Sequence, residues 1–154
     1  MRKIVAGLHV SLDGVTESPE KWTFQYFNEE VGQVVGSQMA QSDAILLGRR
    51  TYEEFAAYWP DKNAADDPFA AFLNNTPKYV ASTTLKSLAW RNSTLIRGDV
   101  ADALAQLKEE PGKNITITGS VTLVESLLSS GLIDELRLLL FPIVVGNGRR
   151  LFED

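Results

Sequence analysis

The feature that most constrains the fold is an alternation, over the whole chain, of short aliphatic or β-branched stretches with helical patterns. In the first stretch Ile4, Ala6, Leu8 and Val10 share one face of a strand that ends at the sequence SLDG, residues 11–14. Strands that alternate with helices in this way form a sheet with helices on both of its faces. We therefore predict an α/β three-layer sandwich with a mostly parallel central sheet.

The remaining elements are predicted from the same patterns and from start and stop signals along the chain. Further strands are expected at residues 44–47, 78–83, 94–96, 114–119 and 135–141. Helices are expected after Asn28, at 51–58, at 69–74 with Asp67 as cap, after Asp99 and after Ser120. The first helix would bury Val31, Val34, Val35 and Met39. No repeat or linker interrupts the pattern, so we expect residues 1–154 to form one domain.

Composition excludes several classes of protein. With 20 acidic and 15 basic residues the net charge is -5, which argues against generic nucleic-acid binding. The absence of cysteine excludes a disulfide framework, a thiolate zinc site and a cysteine nucleophile. The single histidine argues against a multi-histidine metal site, so no metal site is predicted. The first ten residues alternate like a strand, and no apolar run approaches the roughly 20 residues that span a bilayer. We expect a cytoplasmic protein that binds neither nucleic acid nor membranes.

Two glycine turns fall where α/β proteins bind ligands, beyond the carboxyl ends of strands and at the start of helices. They are Gly48-Arg49-Arg50-Thr51 and Gly119-Ser120-Val121-Thr122. Glycine allows close approach of the backbone, unpaired helix amides attract anions, and arginine suits phosphate. Ser82 and Thr83 add hydroxyls after the third strand. Together these turns indicate a ligand with several phosphates, such as a dinucleotide; the alternative is tight turns with solvated arginines and an ordinary serine cap.

Three other features carry candidate chemistry. The carboxylate of Asp13, beside Gly14, would anchor substrate or position a water for proton delivery; an ordinary Asp-Gly turn is the alternative. His9 is interpreted as a partly buried, hydrogen-bonded residue rather than as a proton donor. Aromatic residues crowd the loop before the first helix, either as flat walls for a heterocycle or as a lid over the core. They are Trp22, Phe24, Tyr26 and Phe27.

In this order the motifs resemble the dihydrofolate reductase superfamily. The matching pieces are SLDG, LLGRRTYEEF, KYVAST and ITITGSVTLVESLLSSGLIDELRLLLFPIVVGNGRRLF, which cover nearly all of the chain. The likeness is closer to the reductase domain of bifunctional riboflavin-biosynthesis enzymes and their small stand-alone bacterial relatives. Such relatives usually continue for a further β-hairpin, so we expect that hairpin to be absent here or to lie beyond residue 154.

The resemblance implies an NADPH-dependent reductase of a pteridine-like or pyrimidine-like heterocycle, similar to 5-amino-6-(5-phosphoribosylamino)uracil reductase or to dihydrofolate reductase. Gly48, Arg49, Arg50 and Thr51 would hold phosphates of the cofactor. Ser82 and Thr83 would lie near its 2'-phosphate, and the segment Gly119 to Leu123 would cradle the pyrophosphate. The residues assigned to that segment are Gly119, Ser120, Val121, Thr122 and Leu123.

By the same resemblance the aromatic loop, with Trp22, Phe24 and Phe27, would border the substrate. A homodimer is also implied, and the apolar stretch LRLLLFPIVV supports it because such a strand needs covering. The alternative function is a nucleotide-binding or ligand-binding module on the same scaffold without turnover, because a fold does not fix a function.

Overall fold

The computed structural model describes residues 1–153; Asp154, and the predicted absence of a hairpin after it, lie outside the described residues. Within them the chain forms six strands and five α-helices. The strands are β1 Ile4–Ser11, β2 Ser42–Gly48, β3 Lys78–Ala81, β4 Ser93–Ile96, β5 Asn114–Thr118 and β6 Glu135–Phe141. The helices are α1 Glu29–Ala40, α2 Arg49–Tyr58, α3 Ala70–Asn75, α4 Val100–Glu109 and α5 Val121–Ser129. Two short 3-10 turns, Pro19–Lys21 and Phe24–Tyr26, lie between β1 and α1.

The six strands form one sheet in the order β4-β3-β2-β5-β1-β6, and every neighbouring pair is parallel. The predicted α/β class is confirmed, and the sheet is more uniform than the mostly parallel one expected from the sequence. All six strands therefore end at the same edge, so the loops after β1, β2, β3 and β5 lie side by side there.

Each face of the sheet has its own apolar core. On one face Ile4, Ala6 and Ile117 pack against α4 and α5 through Leu104 and Val124. On the other face α2 and α3 cover β2 and β3, and that core contains Ile45, Leu47, Tyr52, Leu73, Val80 and Trp90. This arrangement is the predicted three-layer sandwich.

Helix α1 packs less deeply than the sequence predicts. The Asn28 side chain accepts a hydrogen bond from the Val31 amide, as expected of a helix cap, but no α1 residue is fully buried. Val34, predicted to face inward, is 44% exposed. At 3.6 residues per turn Val34 lies about 100° around the helix from Val35, outside the half-buried stripe that contains Val35 and Met39.

Two element boundaries differ from prediction in ways that affect the ligand edge. β3 ends at Ala81 rather than at residue 83, because the Ser82 hydroxyl accepts hydrogen bonds from the amides of Thr84 and Leu85 and so forms a turn. Helix α2 begins at Arg49 rather than at Thr51, with Gly48 as its cap residue. Both arginines therefore belong to the first turn of the helix.

A lysine lies inside the second core, which the sequence did not predict. Lys78, at the start of β3, is fully buried. Its ammonium donates to the carbonyl oxygens of Leu73, Asn74 and Thr76, at 2.8, 3.2 and 3.0 Å, where α3 ends. It also lies 4.2 Å from the centre of the Trp90 ring. Burial lowers the pKa of Lys78 to about 8, yet three carbonyl acceptors and an aromatic face compensate its charge.

In the part of the chain that the structure describes, no helix is both long enough and apolar enough to cross a membrane.

Candidate functional site

A cavity of about 1080 Å³ opens at the carboxyl edge of the sheet. It runs across the ends of four strands, from Ala81 on β3, past Gly48 on β2 and Thr118 on β5, to Leu8 and His9 on β1. The first turns of α2 and α5 form one wall of the cavity, and the loop between β1 and α1 forms another. This position is where open parallel sheets bind their ligands.

The two predicted phosphate turns meet in this cavity and are bonded to each other. The Gly48 amide donates to the Ser120 hydroxyl at 2.9 Å, and the Ser120 amide donates to the Thr51 hydroxyl at 3.1 Å. A methyl group at Gly119 would lie 3.4 Å from both Oγ1 and Cγ2 of Thr51, so the space between the turns is filled. We call this reciprocal contact of Gly48, Thr51, Gly119 and Ser120 the turn lock.

The turn lock changes which groups remain available to a ligand. Ser120, for which an ordinary helix cap was the alternative to ligand binding, has a left-handed backbone with φ 57°, and its side chain accepts no hydrogen bond from its own helix. The Gly48 and Ser120 amides already donate hydrogen bonds within the turn lock. The first α5 amide with a partner inside the helix is that of Val124, which donates to the Ser120 carbonyl at 3.0 Å. The amides of the first turns of α2 and α5 thus remain as anion-binding donors.

The paired arginines differ in their present contacts. The Arg49 guanidinium pairs with Glu53 one turn later at 2.9 Å, and its side chain is 49% exposed. Arg50 makes no ion pair within residues 1–153 and lines the same cavity. Both cations stand at the positive end of a helix, where they add to its attraction for an anion.

The other predicted ligand residues are only partly brought together. Phe27 lines the cavity, whereas Phe24 is 72% exposed and lies outside it. Trp22 is buried under the loop, and its ring nitrogen donates to the Glu17 carbonyl at 3.0 Å, so it stabilises the loop instead of facing a ligand. The side chain of Ser82 is used in its own turn, next to the cavity residue Ala81. For Trp22, Phe24, Ser82 and Thr83 the structure thus shows no contact with the cavity.

Asp13 also lies outside the cavity, and its carboxylate is occupied elsewhere. It accepts hydrogen bonds from the Ser11 hydroxyl and from the amides of Val145 and Gly146, the last two at 3.1 and 2.9 Å. These hydrogen bonds, that of Ser11 first, lower the pKa of Asp13 to about 2. A carboxylate held ionised and turned to the C-terminal loop is an anchor for that loop, and this geometry gives no support to the predicted catalytic role.

Substitution Asp13→Asn is expected to lower the free energy of unfolding in a pH-dependent way. The pKa of Asp13 falls from 3.8 to about 2 on folding, so the stabilisation is complete above about pH 4 and is lost as the pH falls through about 2. Urea unfolding at several pH values should therefore show a difference between wild type and variant that shrinks below pH 4. An exposed control, Asp61→Asn, should show no such difference, and a pH-independent effect of Asp13→Asn would contradict the ionic anchor.

Several cavity residues were missed by sequence reasoning. The loop after β1 contributes Thr16, Glu17 and Glu20, and the C-terminal segment contributes Arg149. The Arg149 guanidinium bonds to the Thr122 hydroxyl and to Glu125 on α5. No periodicity marks these positions. The available signals were the two glutamates close to the SLDG turn and the glycines of GNGRRLF that directly precede Arg149.

His9 lies at the β1 end of the cavity, and one expectation about it is wrong. It is partly buried, as predicted, but its side chain makes no hydrogen bond within residues 1–153, and the Nδ1 atom of its ring is buried without a partner. Its ring stacks on Phe141 of β6, with the ring centres 5.3 Å apart and the planes at 29°. Burial lowers the pKa of His9 below 6.5, so the ring is neutral at neutral pH.

The parallel sheet, its helix layers and the cavity at its carboxyl edge define an α/β domain of the dihydrofolate reductase-like class. More narrowly, the chain belongs to the RibD C-terminal domain family, whose model matches residues 2–154. The family resemblance inferred from the sequence motifs is thereby confirmed, and with it an association with riboflavin biosynthesis at the level of the family.

Two proteins of Bacillus subtilis are similar to this chain over most of their length. The chain is 30% identical to the uncharacterized protein YwjB of Bacillus subtilis strain 168, over 99% of this chain and 84% of that protein. It is 29% identical to the uncharacterized protein YyaP of the same organism, over 99% and 81% of the two chains. The likeness therefore extends over most of the length of both relatives.

Solved structures share the fold at lower identity. A protein from Shewanella sp. PV-4, provisionally assigned to riboflavin biosynthesis, matches with a TM-score of 0.76 at 23% identity, over 99% of this chain and 84% of that one. The Thermotoga maritima diaminohydroxyphosphoribosylaminopyrimidine deaminase/5-amino-6-(5-phosphoribosylamino)uracil reductase matches with a TM-score of 0.66 at 16% identity, over 98% and 48% of the two chains. At these identities the likeness establishes the fold.

Proposed function

We propose that the protein is an NADPH-dependent reductase of a pteridine-like or pyrimidine-like heterocycle. The observation that carries the proposal is the turn lock, which fixes the N-termini of α2 and α5 side by side on one cavity, with Arg49 and Arg50 at its rim. Family membership and the name of the Thermotoga maritima reductase point to the same chemistry.

The residues present fit the phosphates of such a cofactor. Amides of the first turn of α2, and those of Val121, Thr122 and Leu123 on α5, are hydrogen-bond donors without partners inside their helices. Together with the guanidinium groups of Arg49 and Arg50 they complement a pyrophosphate and a further phosphate. When bound, the cofactor supplies a hydride. The protein supplies the fixed donors that orient it.

The β1 side of the cavity is suited to the second ligand. The whole cavity, at about 1080 Å³, is slightly larger than the usual small-molecule site of roughly 300–1,000 Å³, so it can hold a heterocycle as well as part of a dinucleotide. Phe27 offers an aromatic surface, and Glu20 offers a carboxylate acceptor for ring and amino N–H groups. Glu17 offers one carboxylate oxygen, because the other accepts a hydrogen bond from the Arg149 amide at 3.3 Å. These side chains complement a nitrogen heterocycle with donor groups.

A homodimer is part of the proposal. β6 is an edge strand, and Leu138 and Leu140 on it are 43% and 63% exposed. An exposed apolar sheet edge is a surface that proteins usually cover. Light scattering at micromolar concentration should give about twice the 17.0 kDa mass of the chain; a monomer would contradict this part of the proposal.

The double substitution Arg49→Ala/Arg50→Ala tests the phosphate assignment. We expect NADPH affinity to fall by about 10- to 30-fold, because two charge-assisted hydrogen bonds are lost while the helix amides remain. Tryptophan fluorescence quenching by NADPH measures the affinity. The control Arg91→Ala/Arg97→Ala removes the same charge at positions that do not line the cavity. If the Arg49→Ala/Arg50→Ala variant binds NADPH as tightly as the wild type does, the two arginines are not part of the phosphate site.

Turnover is tested separately from binding. NADPH oxidation is followed with dihydropterins, flavin precursors and small carbonyl compounds, and at least one heterocycle of the first two groups is expected to be reduced. The alternative function, a binding module without turnover, has one observation in its favour: the candidate acid Asp13 has a pKa of about 2 and is bonded to the C-terminal loop. NADPH binding without oxidation across the panel would favour this alternative.

A further inference from the structure

His9 is the single histidine of the chain, and the NADPH assignment gives it no role. It lies on β1 beside the part of the cavity formed by the loop that follows that strand. In the register of the sheet it is opposite Leu139 of β6, two strands away from β2 and its phosphate turn. Neighbouring strands are about 4.8 Å apart, so His9 lies on the order of 10 Å from that turn, within reach of a second ligand.

The imidazole ring is held by an aromatic cluster. Phe141 stacks on it, and Phe141 itself packs edge-on against Trp22 at 5.9 Å and at a tilt of 55° against Tyr26 at 6.2 Å between ring centres. Trp22 is in turn fixed by its hydrogen bond to the Glu17 carbonyl. Trp22 and Tyr26 of the loop therefore pack on the ring that stacks against His9, a contact that the sequence did not show.

The two ring nitrogens have different surroundings. Nδ1 is buried and lacks a partner, whereas Nε2 is not fully buried and makes no hydrogen bond within residues 1–153. A neutral imidazole has one N–H and one lone pair. Buried N–H groups without partners are rarer in proteins than unsatisfied acceptors, so we assign the lone pair to Nδ1 and the proton to Nε2. The accessible nitrogen of this cavity-lining residue is then a donor.

We propose that His9 is a substrate-contacting residue whose Nε2–H donates a hydrogen bond to a carbonyl oxygen or ring nitrogen of the bound heterocycle. The proposal rests on the proposed function for the identity of the second ligand. It narrows the substrate class: the heterocycle presents an acceptor toward β1, while its N–H groups face the carboxylates of Glu17 and Glu20. A neutral imidazole at this point also favours an uncharged acceptor over a phosphate group.

The single histidine makes the test direct. In tag-free protein labelled with ¹⁵N-histidine, one ring system gives all imidazole signals, and they report which nitrogen carries the proton. The probes are NADP⁺, followed by pterin, lumazine and 5,6-diaminouracil. We expect NADP⁺ to quench tryptophan fluorescence and at least one heterocycle to shift the protonated Nε2 signal of the NADP⁺-loaded protein.

Two variants separate the hydrogen bond from the packing. His9→Phe keeps a ring to stack on Phe141 but cannot donate, and should bind the heterocycle at least tenfold more weakly with unchanged NADP⁺ affinity. His9→Gln retains a side-chain N–H and should recover part of the loss. Unchanged heterocycle affinity in His9→Phe, or no shift of the histidine signals with any of the three probes, would overturn the proposal. If the wild-type protein does not bind NADP⁺ but a heterocycle still shifts the histidine signals, the result contradicts the proposed cofactor and supports the contact between His9 and the heterocycle.

Discussion

The variant Gly119→Ala is expected to lose NADPH binding by about a hundredfold, because the methyl group displaces the turn lock that holds several amide donors in place. Gly119 has φ 69°, and its added Cβ would lie 3.4 Å from the Thr51 side chain. At 3.4 Å the methyl group is at the limit of ordinary contact, and the left-handed backbone disfavours any side chain, so Thr51 shifts by up to a few tenths of an ångström, and with it the hydroxyl that accepts the Ser120 amide. Fluorescence titration with NADPH measures the loss, and urea unfolding measures the accompanying change in stability.

Gly131→Ala is a matched control. Gly131 has φ 70°, nearly the same backbone conformation, and no atom lies within 4 Å of its added Cβ. Both variants should lose about 1 kcal/mol of unfolding free energy from the left-handed backbone, and Gly119→Ala should lose more from the contact with Thr51. Only Gly119→Ala should affect NADPH binding. If the two variants bind NADPH equally well, the turn lock is not part of the cofactor site.

Substitution Lys78→Met is expected to lower the free energy of unfolding by about 3 kcal/mol or more, because three buried carbonyl groups lose their donor. These carbonyls, of Leu73, Asn74 and Thr76, close α3 against the start of β3. Methionine fills a similar volume, so the loss reports the hydrogen bonds and the contact with the Trp90 ring rather than a cavity. Urea unfolding followed by tryptophan fluorescence measures it.

The matched control for this loss is Lys62→Met. The Lys62 ammonium also lies over an aromatic ring, 4.9 Å from the centre of Tyr58, but it forms no hydrogen bond to a carbonyl group in the described residues. Its replacement should change the unfolding free energy by about 0.5 kcal/mol or less. Equal losses in the two variants would mean that the carbonyl contacts of Lys78 contribute little.

The fold was readable from the sequence because its signals are local. Asn28 and Asp99 cap their helices as predicted, and the glycine turns at Gly48 and Gly119 follow β2 and β5. The two turns meet because those strands are neighbours in the sheet. Both turns therefore lie at the carboxyl edge of the sheet, which is where open α/β sheets bind their ligands.

What could not be read depends on contacts between distant parts of the chain. The hydroxyl of Ser120, which a local pattern assigns to its own helix, bonds to an amide 72 positions away. The Asp13 carboxylate is bonded to amides 132 and 133 positions away. Glu17 and Glu20 reach the cavity from a loop without periodicity. For Ser120 and Asp13 a local pattern offers a helix cap and an Asp-Gly turn, and only tertiary packing shows the actual hydrogen-bond partners. No local pattern marks Glu17 or Glu20.

The strand order has a consequence for how the protein is made. β1 pairs only with β5 and β6, so Ile4 finds its partner Ile115 more than a hundred residues later, whereas β2, β3 and β4 pair along the chain in sequence. During synthesis the backbone of β1 therefore stays unpaired until β5 has emerged, and its second side stays unpaired until β6 has emerged. Such non-local pairing slows folding and prolongs the exposure of apolar surface. The cavity is lined by both β1 and β5, so it cannot form before β5 has been synthesised, and no N-terminal fragment lacking β5 can contain it.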